Sequence, residues 1–152
     1  MTKIGLINNL WILVCDGQKA LLFQNAGDRV YPKFETREIF KHKVPSTHEL
    51  GTDRPGRVHS SADSRRASSE PTDLHAMEEQ RFLADLVHHL DLYATEHKIK
   101  DLVIVAPPHA LGTLREALPY HLRALIRAEI DKDYVSQPVY EIEKHLAHAL
   151  AE

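Results

Sequence analysis

Two short apolar runs open the pattern, residues 11–15 (WILVC) and 19–24 (KALLFQ), separated by Asp16-Gly17-Gln18. Runs of this length on either side of an Asp-Gly turn predict a β-hairpin. Residues 33–41 (KFETREIFK) set Phe34, Ile39 and Phe40 among alternating charges, the pattern of a third, half-exposed strand. Short links between three successive strands favour an antiparallel meander, because a parallel pair needs a crossover. Periodicity then stops from Lys41 to Thr72 and resumes as a long helix beginning near Asp73. Leu83, Leu86, Val87, Leu90, Tyr93, Ala94 and His97 form one apolar stripe at helical spacing. Thr72 or Asp73 is placed to cap that helix.

Residues 102–106 (LVIVA) are apolar throughout and end at Pro107-Pro108, as expected of a strand covered on both faces. Thr113-Leu114-Arg115-Glu116 has the spacing of a capping box and predicts a short helix starting there. Pro119 breaks that helix or opens the next turn. Residues 124–130 (ALIRAEI) fit helix or strand, and the strand is preferred as a partner for 102–106. Residues 137–150 form a closing helix with Val139, Ile142, Leu146 and Leu150 on one face. The order β-β-β-loop-α-β-α-β-α predicts one α/β domain over 1–152, a mixed sheet of antiparallel meander plus parallel strands with flanking helices.

Charge changes how the polar gap is read. Residues 41–72 hold six Lys and Arg against four Asp and Glu, whereas the whole chain has a formal net charge of −3. The long polar loop, 42–72, is therefore a cationic arm on an acidic body. Broad nucleic-acid coating is disfavoured, but a local basic contact is compatible with this distribution. The single cysteine, Cys15, lies in an apolar run and predicts a core residue; no internal disulfide can form, which fits a reducing cytoplasm. The first residues lack the features of a signal peptide, and no apolar run approaches the roughly 20 residues of a membrane span. A cytoplasmic protein without a membrane partner is expected.

The distinctive centre of the polar loop is Gly51-Thr52-Asp53-Arg54-Pro55-Gly56-Arg57, followed by Arg65 and Arg66. The two glycines and Pro55 define a stiff bend, and a guanidinium fork on such a bend suits phosphate or carboxylate. These nine residues are the candidate binding set; an ordinary structural turn, or a segment ordered only on binding, explains the same composition. Asp16 at the first strand end is a weak catalytic candidate, to be joined by Asp101, Glu129, Asp131 or Asp133 if two-metal chemistry were present. Strand-end acids are also ordinary solvated positions. The eleven histidines form no strong ligand pattern: His88 and His89 are adjacent, and His145 and His148 share a helix face without a third ligand. No phosphate-binding loop, dinucleotide fingerprint or nucleophile elbow occurs, so neither a metal nor a cofactor is expected.

WILVCDGQKALLFQNAG, ELGTDRPGRVHSS, EEQRFLADLVHHL, LVIVAPPHALGTLREAL and RAEIDKDY resemble, in order, the bacterial host attachment protein family, described as required for attachment to host cells. More remotely, the arrangement is similar to the middle domain of archaeal and eukaryotic peptide-chain release factors. That domain is ribonuclease-H-like, with a three-strand meander feeding a helix and then alternating strands. Its flexible loop carries Gly-Gly-Gln, and an Arg-Phe pair lies on the following helix. Here Arg81-Phe82 occupies the corresponding place, but there is no Gly-Gly-Gln and Gln80 lies within the helix. The resemblance thus implies a non-enzymatic adaptor whose basic loop contacts ribosome, tRNA or other RNA. A ribonuclease-H-like hydrolase or nuclease, and a regulatory interaction module or homodimer, are the alternatives.

Overall fold

Alternation decides where the apolar side chains go once the two opening runs pair. The computed structural model describes residues 4–42 and 71–151. Strand β1 (Trp11–Cys15) and strand β2 (Lys19–Asn25) form the expected antiparallel hairpin, Trp11 opposite Gln24 and Cys15 opposite Ala20. Strand β3 (Phe34–Lys41) continues the meander on the far side of β2. Helix α1 (Pro71–His97) crosses back and delivers strand β4 (Leu102–Ala106) parallel to β1. Helix α2 (Pro108–Ala117) and a one-turn helix α3 (Tyr120–Arg123) lead to strand β5 (Ile126–Asp131), parallel to β4. Helix α4 (Val139–Ala149) closes the order. The result is a single mixed sheet of five strands, β3-β2-β1-β4-β5, with flanking helices.

Successive residues of the central strands point to opposite faces. Trp11, Leu13, Cys15, Leu102, Ile104 and Ala106 meet the apolar stripe of α1 and the inner side of α2. Ile12, Val14, Val103 and Val105 meet Ile142 and Leu146 of α4 on the other side. All ten of these strand residues are buried, the arrangement predicted for continuous apolar runs. Edge strand β3 shows how a single extra residue redirects side chains. Phe34 and Phe40, both at even positions, would share a face in a regular strand. The register slips between Leu22 and Phe23, which face Glu38 and Thr36 and leave Arg37 unpaired between them. Phe34 therefore enters the α4-side core while Phe40 packs on the α1 side.

Three expectations about where elements start are corrected. Helix α1 is described from Pro71, so Thr72 and Asp73 lie within it and not ahead of its start. Helix α2 begins at Pro108 with Pro107 at the cap position, five residues before Thr113. Proline at a first helical position loses no hydrogen bond the helix needs, which makes Pro107-Pro108 both the strand stop and the helix start. Thr113 is mid-helix, its hydroxyl donating back to the His109 carbonyl at 3.2 Å. The ambiguous segment 124–130 is a strand, but only from Ile126; Ala124 and Leu125 complete the turn after α3.

One buried polar side chain ties the meander to the segment before β1. Asn25 is fully buried. Its Nδ2 donates to the carbonyls of Leu6 (2.7 Å) and Ile7 (3.0 Å), and its Oδ1 accepts from the amides of Gly27 (3.0 Å) and Lys33 (2.9 Å). All four hydrogen-bonding sites of the amide are used.

Candidate functional site

Helix α1 carries two stripes. Leu83, Leu86, Val87, Leu90 and Ala94 are buried against the sheet. Beside them runs a row at Glu78, Arg81, Asp85, His89, Leu92 and Glu96, spaced by three or four residues, facing the far edge strand β3. Between this row and residues Glu38–His42 lies an open groove of about 830 Å³. Its floor is apolar: Phe82 and Leu86 are buried, and the Phe40 ring stacks on His89 with centroids 5.9 Å apart. The His42 ring lies 5.9 Å from that of Phe82. Four acids, Glu38, Glu78, Asp85 and Glu96, face two cations, Lys41 and Arg81, so the walls are acidic on balance. A smaller hollow adjoins it at Lys41, His42 and Glu78 and reaches the β1–β2 turn. There Gly17 lies so close to Glu79 that a Cβ would come within 2.7 Å of its side chain.

The sequence-derived candidates separate. Gly51, Thr52, Asp53, Arg54, Pro55, Gly56, Arg57, Arg65 and Arg66 lie outside the described residues. The chain leaves β3 at His42 and is described again from Pro71, so their segment joins the edge strand of the groove to its helix. Asp16 is engaged in the hairpin: its Oδ1 accepts from the amides of Gln18 and Lys19, both at 2.8 Å. The other strand-end acids do not converge on it. Asp101 pairs with Arg127 and Glu129 with Arg115, each at 2.6 Å, whereas Asp131 and Asp133 are exposed. Among the described residues no three His, Cys, Asp or Glu are grouped to hold a metal ion. Cys15 is wholly buried, and burial, helped by the charge of Asp16, pushes its thiol up to about 12. It is core, as its apolar run implies.

Several of the described histidines serve as aromatic surfaces. His97 stacks on Tyr93 at 4.0 Å, and Tyr93 meets Trp11 edge-on at 5.7 Å. The Arg37 guanidinium, displaced by the bulge, sits 5.7 Å from the centre of the Trp11 ring. His145 stacks on Tyr134 at 4.6 Å. No helix among the described residues is long and apolar enough to cross a membrane.

The sequence profile of the family described as "Protein required for attachment to host cells" matches residues 11–146, which takes in all five strands and most of α4. The chain belongs to this family. The chain is also similar to an uncharacterised protein of Rickettsia prowazekii (strain Madrid E), 32% identical over 75 residues. That stretch covers 48% of this chain and 50% of the relative, so the chain spans about half the length of the relative it matches.

The groove was not singled out from sequence. Its acids are scattered over two elements distant in the chain, and on α1 they read as an ordinary solvated flank. The available signal was the row 78-81-85-89-92-96 running alongside the apolar stripe, which leaves α1 with a second patterned face.

Proposed function

We propose that this protein is a non-enzymatic cytoplasmic adaptor that contacts RNA, in the translation machinery, through the arginines of segment 43–70. The supporting observation is where that segment is rooted. It is flanked by His42, which directly follows the edge strand, and by Pro71, in the long helix. This is the place at which the release-factor middle domain carries its functional loop, and Arg81-Phe82 follows at the corresponding point of the helix. The meander, the helix and the alternating strands that follow support a ribonuclease-H-like reading of the fold. Without a Gly-Gly-Gln motif, phosphate contact and not peptidyl-tRNA hydrolysis is the activity carried over.

The test is binding of fluorescently labelled bulk tRNA, together with co-sedimentation with purified ribosomes, at several salt concentrations. Replacing Arg54, Arg57, Arg65 and Arg66 with alanine is expected to weaken binding by about tenfold or more and to flatten its salt dependence. Unchanged binding and an unchanged salt slope would discard the proposal.

A further inference from the structure

We infer that the groove between β3 and α1 is a docking site for an extended, lysine- or arginine-bearing peptide, which adds to the sheet as a strand beside β3. The inference does not rest on the RNA proposal, since it uses only the described surface. Strand β3 ends the sheet order, so among the described residues the outer edge of its backbone has no strand partner. Such an edge is a template for an incoming chain, whose main chain supplies affinity while alternate side chains read the two faces. The bulge distorts β3 around Arg37, but Glu38–Lys41 pair regularly with Lys19–Leu22 and present a straight run of four residues.

The surroundings of that run specify the visitor. An added strand would lie about 4.8 Å outside β3, beneath the flank of α1. Side chains directed toward α1 meet the apolar floor at Phe40, Phe82 and Leu86, with half-exposed Ile39 and Leu92 at the margins. Longer side chains reach the acids of the walls. Among the described residues, Glu38, Glu78 and Asp85 each lie beyond salt-bridge distance of any cation. An acidic peptide would face these carboxylates in a partly dehydrated groove, whereas lysine or arginine would pair with them. An added strand turns every second side chain toward α1, so lysine or arginine at alternate positions fits both, its aliphatic stem along the floor and its charged end at the walls.

The experiment is fluorescence anisotropy on the full chain with three labelled probes. One is a heptapeptide alternating lysine and valine; the second has glutamate for lysine; the third is the basic peptide N-methylated at alternate amides. The basic peptide is expected to bind and the acidic one not. N-methylation is expected to weaken binding by about tenfold, because it removes the donors that a strand needs while leaving charge intact. Glu78→Lys/Asp85→Lys is expected to weaken the basic peptide by about tenfold or more, with an unchanged circular dichroism spectrum. Equal binding of the N-methylated probe overturns strand addition. Insensitivity to the double charge reversal, or no binding of the basic probe to the full chain, overturns the site.

Discussion

Replacing Asn25 with alanine tests the claim that one buried amide ties the N-terminal segment to the meander. The substitution removes four hydrogen bonds at once, two donated to Leu6 and Ile7 and two accepted from Gly27 and Lys33. Their losses are unequal. The contact with the Leu6 carbonyl is buried, so that oxygen is left without a partner at about 1–3 kcal/mol. The other three groups are only partly buried, and solvent can replace the amide, so each costs nearer the net value of about 1 kcal/mol. Asn25→Ala should therefore cost about 4–6 kcal/mol, a large share of the roughly 5–15 kcal/mol that holds a domain of this size. Urea unfolding followed by circular dichroism measures this directly. Asn25→Asp keeps the two accepting contacts but sets a charge against two carbonyl oxygens. It should cost at least as much at pH 7 and recover on acidification as the carboxyl gains a proton. A loss below about 1 kcal/mol for Asn25→Ala would refute the reasoning, since even one buried unsatisfied carbonyl should cost that much.

Two glycines should respond in opposite directions to alanine. At Gly27 a Cβ would fall 2.0 Å from the Tyr31 carbonyl oxygen, so main chain must move and stability should drop by about 2–4 kcal/mol. At Gly112, within α2, nothing lies within 4 Å, and alanine should stabilise by about 0.5–1 kcal/mol in the same unfolding assay. For Asp16, asparagine retains an acceptor for the Gln18 and Lys19 amides and should be nearly neutral, whereas alanine should cost about 1–2 kcal/mol; equal losses would show that the turn does not use that oxygen. Cys15 supplies a pH test. Its folded thiol is raised from 9.0 to about 12, so above pH 9 the unfolded chain releases a proton that the folded chain retains. Stability from this group is complete below pH 9 and is lost as pH rises, by up to about 1.4 kcal/mol per pH unit. Cys15→Ala should show a shallower decline between pH 9 and 10; parallel profiles would refute the assignment.

The layers of the fold were legible because they depend on short-range patterning. WILVC and LVIVA are apolar without interruption, and only a strand covered on both faces uses such a run. The stripe of α1 announced a helix with one buried side. What failed were starts and registers. A capping box at Thr113 is a local signal, but Pro107-Pro108 imposed an earlier helix start through a fixed backbone angle that the box cannot override. The Arg37 bulge left no sequence signal, because two phenylalanines six residues apart look alike whether they share a face or not. Asn25, one residue beyond the second apolar run, gave no hint of full burial, since its partners come from residues 6 and 7 as well as 27 and 33. The groove was hidden for a similar reason: its walls come from β3 and α1, elements distant in the chain.

The basic segment is joined in sequence to the strand and the helix that wall the acidic groove, and that connection makes the two binding proposals separable. Phosphates drawn toward Arg54 or Arg57 would be repelled by Glu38, Glu78, Asp85 and Glu96 wherever they come within about 8 Å, the screening length at physiological salt. The same carboxylates attract a basic peptide. One substitution therefore reports on both. Glu78→Lys/Asp85→Lys changes the local charge by +4, so it should weaken the lysine-valine peptide while strengthening bulk tRNA binding and steepening its salt dependence. Replacing the four arginines of segment 43–70 should do the reverse for tRNA and leave the basic peptide bound. If both ligands moved in the same direction in either variant, groove and segment would be responding as one surface, and the division of labour between them would fall.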